Sequence, residues 1–381
     1  MKGGIASYLL GVYKKYFSYA DFEVIVPKNI GAKEVFLDLP FKVNQVAFRP
    51  FDINNSIRDQ CNLKIIEILR NIKPDVILFG YLRSHSETGE LYKKINPKVF
   101  LGIFVHAKEA FINECIVRRN NKGGSHKGYT KEEALFYKEI LNSVDIIISV
   151  SNFTKRLLIK QGIKSKIIVV NPPIREMHRI DSVIAKRRLG LERNIPILLS
   201  VGRLIKRKGQ DKVIRLIPKL KEHYPLIKYL IVGNGPEINN IKNLIKELKI
   251  EQNVTLFVSV ENEELGIFYS ACDLFILPCD FIEPNDIEGF GIVFLEASSF
   301  GKPCIGGNTG GVPESVLNNK TGFLIDPKSQ EEIKEKILLL LKNKNLKKKF
   351  SLAALKTTSV VLSNSKSNKL IDIFKRNISH S

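Results

Sequence analysis

Short apolar runs rich in β-branched residues alternate with longer segments of helical period along most of this chain. A first series of predicted strands spans residues 22–26, 43–48, 76–81, 99–106, 146–150 and 167–170. A second series spans residues 197–201, 229–232, 254–258, 274–277, 304–305 and 323–325. Near-continuous apolar strands that alternate with helices indicate parallel sheets covered by helices on both faces. The pattern therefore predicts an α/β fold.

The two series are separated by Pro172, Pro173 and a charged stretch that runs to residue 194. This break predicts two Rossmann-like domains, residues 1–172 and 173–360, followed by a tail at 361–381 that docks as a helix. Predicted helices span residues 56–72, 131–142, 210–223, 237–248 and 331–342, and residues 344–349 read as a solvated helical face. Ligands of such sheets bind beyond the carboxyl ends of the strands, so the cleft between the domains is the predicted ligand site.

The formal net charge of +21 predicts an anionic partner, such as a nucleotide, a lipid phosphate or a membrane surface. An alternative is that the abundant lysine reflects an AT-rich genome. The basic residues follow no zinc-finger, RNP or basic-zipper pattern, so nucleic acid is not the predicted partner. The five cysteines have irregular spacings, which fits a reducing cytoplasm. The start of the chain has no secretory signal, and no apolar run is long enough to span a bilayer.

Residues 288–296 place two glutamates, Glu288 and Glu296, around a glycine turn that leads into an apolar run. A turn of this kind opens a helix whose first N–H groups can bind a phosphate, and Gly289 and Gly291 let the backbone approach a ligand closely. Glu296 can then accept hydrogen bonds from a ribose diol, and Glu288 can meet a sugar hydroxyl. The alternative is an ordinary helix-capping glutamate and a solvated helix glutamate.

Residues 200–209 carry a second chemical signal, because Arg203 and Lys208 follow a predicted strand and precede a helix. An arginine fork and a lysine point charge on one loop suit a diphosphate. A solvated basic loop is the alternative. His106 ends a strand of the first domain, where a side chain faces the crevice of such a sheet; a loop histidine without a function is the alternative there.

Together these segments resemble the donor-site signature of the retaining glycosyltransferases of family 4, nearest in pattern to the branch that contains the bacterial phosphatidylinositol mannosyltransferases. The resemblance extends from about Gly3 to about Leu341. The residues that carry it in the second domain are Asp286, Glu288, Gly289, Phe290, Gly291, Leu295, Glu296, Ala297, Gly301, Pro303, Gly310, Gly311, Pro313 and Glu314. It implies the GT-B fold, in which two Rossmann-like domains face each other across a cleft. In that fold the first domain would bind the acceptor, the second would bind the nucleotide sugar, and the C-terminal helix would cross back to the first domain.

The resemblance also implies roles for individual residues. Arg203 and Lys208 would stabilise the leaving nucleotide diphosphate, and Glu288 and His106 would position the transferred sugar, which makes these four the predicted catalytic residues. The predicted donor-binding residues are Gly4, Val258, Gly289, Phe290, Gly291, Ile292 and Glu296. No Asp-x-Asp motif occurs, so no metal is predicted, and the only small molecule expected is a GDP- or UDP-linked sugar substrate.

One departure from the family pattern concerns the start of the chain. Family members have an apolar strand ahead of the glycine loop that contains Gly4, whereas only Met1 and Lys2 precede Gly3 here. The first domain is therefore predicted to lack its first strand, either because the start is set too late or because this copy is truncated. Such a loss would expose strand edges in the sheet.

The predicted function is transfer of a hexose, with mannose as the leading candidate, to a glycan or lipid-linked acceptor of the cell envelope. Basic residues near Tyr13, Tyr16 and Phe17 predict peripheral contact with an anionic membrane, which places the protein in the cytoplasm at the inner face of the cell membrane. A solvated amphipathic helix is the alternative. The rival functions are a truncated non-catalytic partner protein, a GT-B phosphorylase or epimerase, and a nucleic-acid-binding module.

Overall fold

The structure is a computed structural model that describes residues 9, 11–13, 20–27, 42–46, 55–82, 86–112, 131–261, 263–282, 285–364 and 369–378. The chain divides into two compact units. Unit 1 comprises Met1–Pro172 together with Ser367–Ser381, and unit 2 comprises Pro173–Lys366. The chain therefore leaves unit 1 after Pro172 and returns to it for its last residues.

Unit 1 contains two parallel sheets among its described residues. Its strands are β1 (Glu23–Pro27), β2 (Lys42–Val46), β3 (Val76–Phe79), β4 (Phe100–Val105), β5 (Ile146–Ser149) and β6 (Ile167–Val169). Strand β1 pairs with β2, and the other four follow the order β3-β4-β5-β6. Its first helices are α1 (Asn55–Ile72), α2 (Glu87–Ile95), α3 (Lys131–Ser143) and α4 (Asn152–Lys160). The predicted loss of a strand ahead of Gly3 lies outside the described residues.

Unit 2 is one open parallel sheet of six strands. They are β7 (Ile197–Val201), β8 (Lys228–Val232), β9 (Val254–Phe257), β10 (Leu274–Leu277), β11 (Cys304–Gly307) and β12 (Gly322–Ile325). Its helices are α5 (Ser182–Arg188), α6 (Gln210–Ile214), α7 (Ile217–Lys221), α8 (Ile238–Glu247), α9 (Leu265–Ala271), α10 (Ile292–Ser299), α11 (Val312–Ser315), α12 (Gln330–Lys342) and α13 (Lys344–Asn364). The strand order is β12-β11-β10-β7-β8-β9, which is the doubly wound order of a Rossmann sheet.

The cores follow directly from the apolar strands. All four residues of β10 are fully buried, and apolar side chains pack on both faces of the unit 2 sheet. On one face Ile276 lies among Leu198, Ile231 and Ile305, and on the other Phe275 packs edge-on against Phe294. Burial of the strands on both faces explains why they read as continuous apolar runs. The predicted α/β fold with two Rossmann-like units is confirmed.

The last helix, α14 (Lys369–Ile378), belongs to unit 1. Its residues Leu370, Ile371 and Phe374 are buried in a cluster with Phe104 and Ile148 of the central strands. The ring of Phe374 also meets that of Phe100 at a centroid distance of 5.9 Å. This helix therefore completes one face of the sheet β3-β4-β5-β6.

One predicted helix is wrong in its extent. The segment 210–223 is not a single helix but splits into α6 and α7, which are separated by Arg215 and Leu216. Pro218 occupies the first turn of α7. Proline lacks a backbone N–H and clashes with the preceding turn in a helix interior, but it is accommodated in a first turn. The break therefore falls just ahead of the proline.

Candidate functional site

The order of the unit 2 strands places two loops side by side. Strands β7 and β10 are hydrogen-bonded neighbours, with Leu199 opposite Phe275. From β7 the chain continues outward through β8 and β9, whereas from β10 it continues in the other direction through β11 and β12. A ligand-binding crevice opens at such a switch point, beyond the carboxyl ends of the strands. Lys208 follows β7 and Glu288 follows β10, so the sheet brings together the two segments singled out in the sequence.

The centre of this crevice is a cluster of buried charges. Lys208 Nζ lies 2.5 Å from Glu288 Oε2. Arg207 Nη1 contacts the same carboxylate oxygen at 2.5 Å, and Arg207 Nε lies 3.1 Å from Asp286 Oδ1. The four side chains are between 10 % and 14 % exposed. Two cations and two carboxylates are thus packed together where water has little access, which strengthens their mutual attraction.

The charge state of Glu288 follows from these neighbours. Burial by itself would raise the pKa of the Glu288 carboxyl, but the charges and hydrogen bonds of Arg207 and Lys208 outweigh burial and hold the pKa far below its usual range. Burial would lower the pKa of Arg207, yet Glu288 and Asp286 raise it. Cys279 donates to Glu288 Oε2 at 3.6 Å, and burial raises the pKa of its thiol to about 12. Glu288 is therefore an ionised acceptor beside a neutral thiol.

Arg203 differs from its neighbours in the same loop. Its side chain is exposed, and its guanidinium takes no part in the hydrogen bonds and ion pairs found among the described residues. Its backbone carbonyl is held by Gln210 Nε2 at 3.3 Å. Of the two cations that the sequence predicts for a diphosphate, Arg203 has an exposed side chain, whereas Lys208 is paired with Glu288.

The predicted glycine turn opens a helix, as expected. Gly291 adopts φ +86° at the start of α10, and no side chain caps the helix. A Cβ on Gly291 would lie 2.7 Å from Cδ2 of the fully buried Phe294. Residues Gly289 and Phe290 precede it, Phe290 being buried, and Ile292 is the first helical residue. The turn thus presents an uncapped helix N-terminus beside Glu288.

A second glycine pair, Gly310 and Gly311, packs against the backbone of this turn. Gly311 N donates to Glu288 O at 2.8 Å. A Cβ on Gly310 would lie 2.3 Å from Glu288 O, and one on Gly311 would lie 2.1 Å from Gly289 O. Only a residue without a side chain allows this approach of two backbones. The glycines at 310 and 311 therefore fix the position of the Glu288–Gly289 backbone.

Glu296 lies deeper in unit 2 than Glu288. Its side chain is 3 % exposed, its Oε2 accepts a hydrogen bond from Tyr269 Oη at 2.9 Å, and Arg175 Nε lies 3.6 Å from its Oε1. Burial raises the pKa of the Glu296 carboxyl, and Arg175 and the Tyr269 hydrogen bond oppose that shift. A diol that reaches this carboxylate would therefore meet Arg175 beside Oε1.

His106 belongs to unit 1, where it follows β4. Its Nε2 lies 2.9 Å from Gly80 O, and its backbone N–H donates to Glu109 Oε2 at 3.2 Å. Burial lowers the pKa of the imidazole, against the opposing effects of Glu109 and the Gly80 carbonyl. The next residue, Ala107, has φ +120°, a strained value for a residue with a side chain. His106 is thus held in a tight turn at the carboxyl edge of its own sheet.

The remaining predicted residues are placed as follows. Val258 directly follows β9 and is half-buried. Gly4 lies outside the described residues, as do Tyr16 and Phe17 of the predicted membrane contact. Among the described residues, no group of three or more His, Cys, Asp or Glu side chains could hold a metal ion. Within that same part of the chain, no helix is long and apolar enough to cross a membrane.

Several residues of the site were not identified from the sequence as ligand-binding or supporting groups. They are Arg207, Cys279, Tyr269 and Arg175, each of which contacts Glu288 or Glu296. Arg207 was visible only as one member of a basic run. Nothing in the spacing of Tyr269 and Arg175 marks them, because their contacts depend on how α9 and the segment after Pro173 pack against α10.

Sequence models of two families match this chain in succession. Residues 21–176 match the model described as Glycosyltransferase Family 4, and residues 183–357 match the model described as Glycosyl transferases group 1. The first match ends at residue 176, four residues past the end of the first stretch of unit 1, and the second match lies wholly within unit 2. Most of each unit is therefore covered by a family model of its own.

The chain is similar in sequence to the GDP-mannose-dependent alpha-(1-6)-phosphatidylinositol monomannoside mannosyltransferase of Mycolicibacterium smegmatis. The relative is 33 % identical to this chain over 195 residues, which are 50 % of this chain and 51 % of the relative. This chain is thus matched over about half the length of that relative.

Two solved structures share the fold over nearly the whole chain. Sucrose-phosphate synthase from Thermosynechococcus elongatus has a TM-score of 0.80 at 17 % identity. The superposition covers 100 % of this chain and 94 % of the synthase chain. Anabaena HepE, solved in complex with UDP-glucose, has a TM-score of 0.76 at 18 % identity. The superposition covers 98 % of this chain and 97 % of the HepE chain. At these identities the similarity establishes a common fold.

Proposed function

The chain belongs to the family 4 glycosyltransferases, and on that premise we propose that it is a retaining, metal-independent enzyme that transfers a hexose from a nucleotide diphosphate sugar to an acceptor hydroxyl. The observation that carries this proposal is the carboxyl edge of β7 and β10, where the loop with the exposed Arg203 follows β7, the uncapped start of α10 follows β10, and the Lys208–Glu288 pair joins the two segments. A diphosphate needs cations and N–H groups, and a sugar needs a fixed acceptor of hydrogen bonds. Both requirements are met along one edge of one sheet.

The proposed chemistry is electrostatic. Arg203 and Lys208 bind the diphosphate and stabilise the negative charge that grows on it as the bond to the sugar breaks. The start of α10 adds N–H groups and the positive end of a helix dipole. These groups take over the charge neutralisation that a divalent metal provides in other phosphate sites.

Retention of configuration is proposed to arise from substitution on one face of the sugar. Retaining glycosidases use a second carboxylate as a nucleophile on the opposite face. In unit 2 the described carboxylates of the crevice, Glu288 and Asp286, are both tied to Arg207. The departing phosphate oxygen is then the base that takes the proton of the acceptor hydroxyl, while Glu288 holds the sugar in place.

The proposed donor is a mannose nucleotide. The relative from Mycolicibacterium smegmatis is named as GDP-mannose-dependent and is 33 % identical, which supports GDP over UDP. The UDP-glucose in Anabaena HepE is held by a protein only 18 % identical to this chain, so it supports the class of donor and not the base. In this proposal Glu296 accepts hydrogen bonds from the ribose after Arg175 has moved away from Oε1.

The proposed acceptor is a glycan or a lipid-linked glycan of the cell envelope, reached at the inner face of the membrane. The relative's named acceptor, a phosphatidylinositol monomannoside, and the net charge of +21 support an acceptor at an anionic surface. Flotation of the protein with liposomes at low and high salt tests this part separately. Flotation that does not depend on anionic lipid would exclude the proposed contact with an anionic membrane but leave the proposed donor site intact.

The decisive experiment is calorimetric titration with GDP and with UDP. The wild-type chain is compared with an Arg203→Ala/Lys208→Ala variant and with a Lys206→Ala control, because Lys206 is an exposed cation of the same loop. We expect the wild-type chain and the Lys206→Ala control to bind one of the two nucleotides with equal affinity. The double variant should not bind that nucleotide. If the folded wild-type chain binds neither nucleotide, the proposal fails in favour of a non-catalytic protein.

A further inference from the structure

Arg207 is a cation of the crevice that the proposed reaction leaves without a role. Its guanidinium is 12 % exposed and lies between two carboxylates, Asp286 and Glu288. The neighbouring Lys208 has the same carboxylate, Glu288, as its ion-pair partner. One carboxylate thus serves two adjacent cations, of which only Lys208 is proposed to bind the donor.

The three donors on Glu288 all converge on a single oxygen. Arg207 Nη1 and Lys208 Nζ each lie 2.5 Å from Oε2, and Cys279 Sγ lies 3.6 Å from it. None of the hydrogen bonds found among the described residues involves Glu288 Oε1. The carboxylate therefore has one oxygen bound by the protein and one that is open to a hydroxyl of the donor sugar.

Arg207 is fixed from several directions. Its backbone carbonyl accepts from Asp280 N at 2.8 Å, and its Nε and Nη1 reach different carboxylates. Asp280 in turn is paired with Lys212 at 2.7 Å, so it does not compete for the guanidinium. A planar guanidinium that bonds two carboxylates at once cannot turn toward a ligand without breaking both contacts.

Lys208 has no such restraint. Its ammonium is a point charge on a flexible stem, and Glu288 is the only carboxylate with which it is paired among the described residues. Its Cε lies 3.7 Å from the place that a Cβ on Gly202 would occupy, so the side chain runs along the loop that leaves β7. A diphosphate bound by Arg203 in that loop would draw Lys208 away from Glu288. The carboxylate would then be left in the crevice with Arg207 alone.

We propose that Arg207 is the permanent counter-ion of Glu288, and that its presence allows Lys208 to leave the carboxylate and bind the donor's diphosphate. This inference rests on the proposed function and assigns a positioning residue to it. Without Arg207, Glu288 would hold Lys208 as its sole cation, because a buried carboxylate stripped of its last partner is strongly disfavoured. Lys208 would then be withheld from the ligand.

The test is the affinity for GDP and UDP, measured by calorimetry between pH 5 and pH 8, of wild type, Arg207→Gln, Arg207→Lys and the double variant Arg207→Gln/Glu288→Gln. At pH 8 we expect Arg207→Gln to lose about tenfold in affinity, a loss typical of one charged hydrogen-bonding partner. Arg207→Lys keeps one charge and should lose less. The double variant removes the carboxylate that withholds Lys208, so it should recover most of the wild-type affinity.

Recovery in the double variant separates positioning from a merely structural effect. A structural loss caused by removing Arg207 would not be repaired by a second substitution at Glu288, whereas a loss caused by the pairing of Glu288 with Lys208 would be. The usual pKa of a glutamate is about 4.3, so Glu288 stays mostly ionised in Arg207→Gln down to pH 5 and keeps Lys208 as its partner. The ratio of variant to wild-type affinity should therefore change little between pH 5 and pH 8, a comparison in which protonation of the nucleotide cancels.

Three results would overturn the inference. Equal affinity of Arg207→Gln and wild type at all pH values would mean that Arg207 does not govern Lys208. Weak binding by the double variant, with thermal melting showing it to be folded, would mean that Arg207 contacts the nucleotide directly. Failure of the wild-type chain to bind either nucleotide would instead remove the proposed function, and the inference with it.

Discussion

Lys208 Nζ and Glu288 Oε2 lie 2.5 Å apart, although the two residues are 80 positions apart in the chain. The contact exists because β7 and β10 are neighbours in the sheet and both loops leave its carboxyl edge. Each residue matched a different motif in the sequence, and each was assigned to a different part of the ligand. In the structure they form an ion pair, so any ligand that binds one of them changes the surroundings of the other.

We expect Glu288→Gln to lower turnover by about a hundredfold, the magnitude typical for loss of one preorganised polar contact to a reacting group. Affinity for the nucleotide diphosphate should be unchanged or modestly tighter, because the amide no longer holds Lys208 as an ion pair. Steady-state kinetics and calorimetric titration on the same preparation measure both quantities.

The matched control for that substitution is Glu222→Gln, which removes an exposed carboxylate of the same unit. It should change neither turnover nor affinity. Equal losses of turnover and nucleotide affinity in Glu288→Gln would contradict a sugar-positioning role for Glu288.

Arg203→Ala should weaken nucleotide diphosphate binding by roughly 10- to 100-fold, since hydrogen bonds to charged groups contribute about 1.5–3 kcal/mol. Its free energy of unfolding should stay within about 0.5 kcal/mol of wild type, because the side chain is exposed. Calorimetry and urea denaturation test the two parts. A large loss of stability with intact binding would show that Arg203 serves the fold and not the ligand.

Glu296→Gln should affect stability in a pH-dependent way. The pKa of Glu296 is raised in the folded chain, so its ionisation disfavours folding. The stability that the neutral carboxyl contributes is fully present at pH values below the pKa of Glu296 in the unfolded chain. It is lost as the pH rises through the higher pKa of Glu296 in the folded chain. The free energy of unfolding of Glu296→Gln, relative to wild type, should therefore increase from pH 4 to pH 8.

Urea denaturation at several pH values measures this difference, with the exposed Glu251→Gln as a control that should show no such trend. A stability difference that is constant with pH would mean that Arg175 and Tyr269 fully compensate for the burial of the charge.

Gly291→Ala should destabilise the chain by about 3 kcal/mol, the sum of about 1 kcal/mol for the left-handed backbone and about 2 kcal/mol for overpacking against Phe294. Gly190→Ala is the matched control, because Gly190 also has a positive φ, +68°, but no atom lies within 4 Å of its added Cβ. It should cost only the backbone part, about 1 kcal/mol. Equal losses, measured as shifts of the thermal midpoint, would show that the contact with Phe294 relaxes without cost.

The fold was predictable because its signal is local. Each strand of unit 2 is buried on both faces, so each appears in the sequence as an apolar run, and β7 and β10 begin and end at the predicted residues. The break between α6 and α7 was also local, since Pro218 stood in the predicted helix, but the apolar periodicity of the segment continues through it. The periodicity alone therefore predicted one helix.

The site was predictable only in part, because its contacts depend on packing. The motifs identified Arg203, Lys208, Glu288 and Glu296 as residue types suited to a donor. Which cation meets which carboxylate depends on the order of strands in the sheet and on the short 3-10 turn Lys206–Lys208, which buries Lys208, partly buries Arg207 and leaves Lys206 exposed. No pattern of residue types in the sequence contains that information.

The position of α14 sets the order in which this chain can fold as it is synthesised. Unit 2 is complete once Lys366 has been made, whereas the apolar face formed by Phe104 and Ile148 waits for Leu370, Ile371 and Phe374. Domains usually fold in the order of their synthesis, the N-terminal one first. Residues up to Pro172 thus leave the ribosome before unit 2, yet their sheet is finished after it, and the apolar surface of Phe104 and Ile148 stays uncovered until α14 has been made.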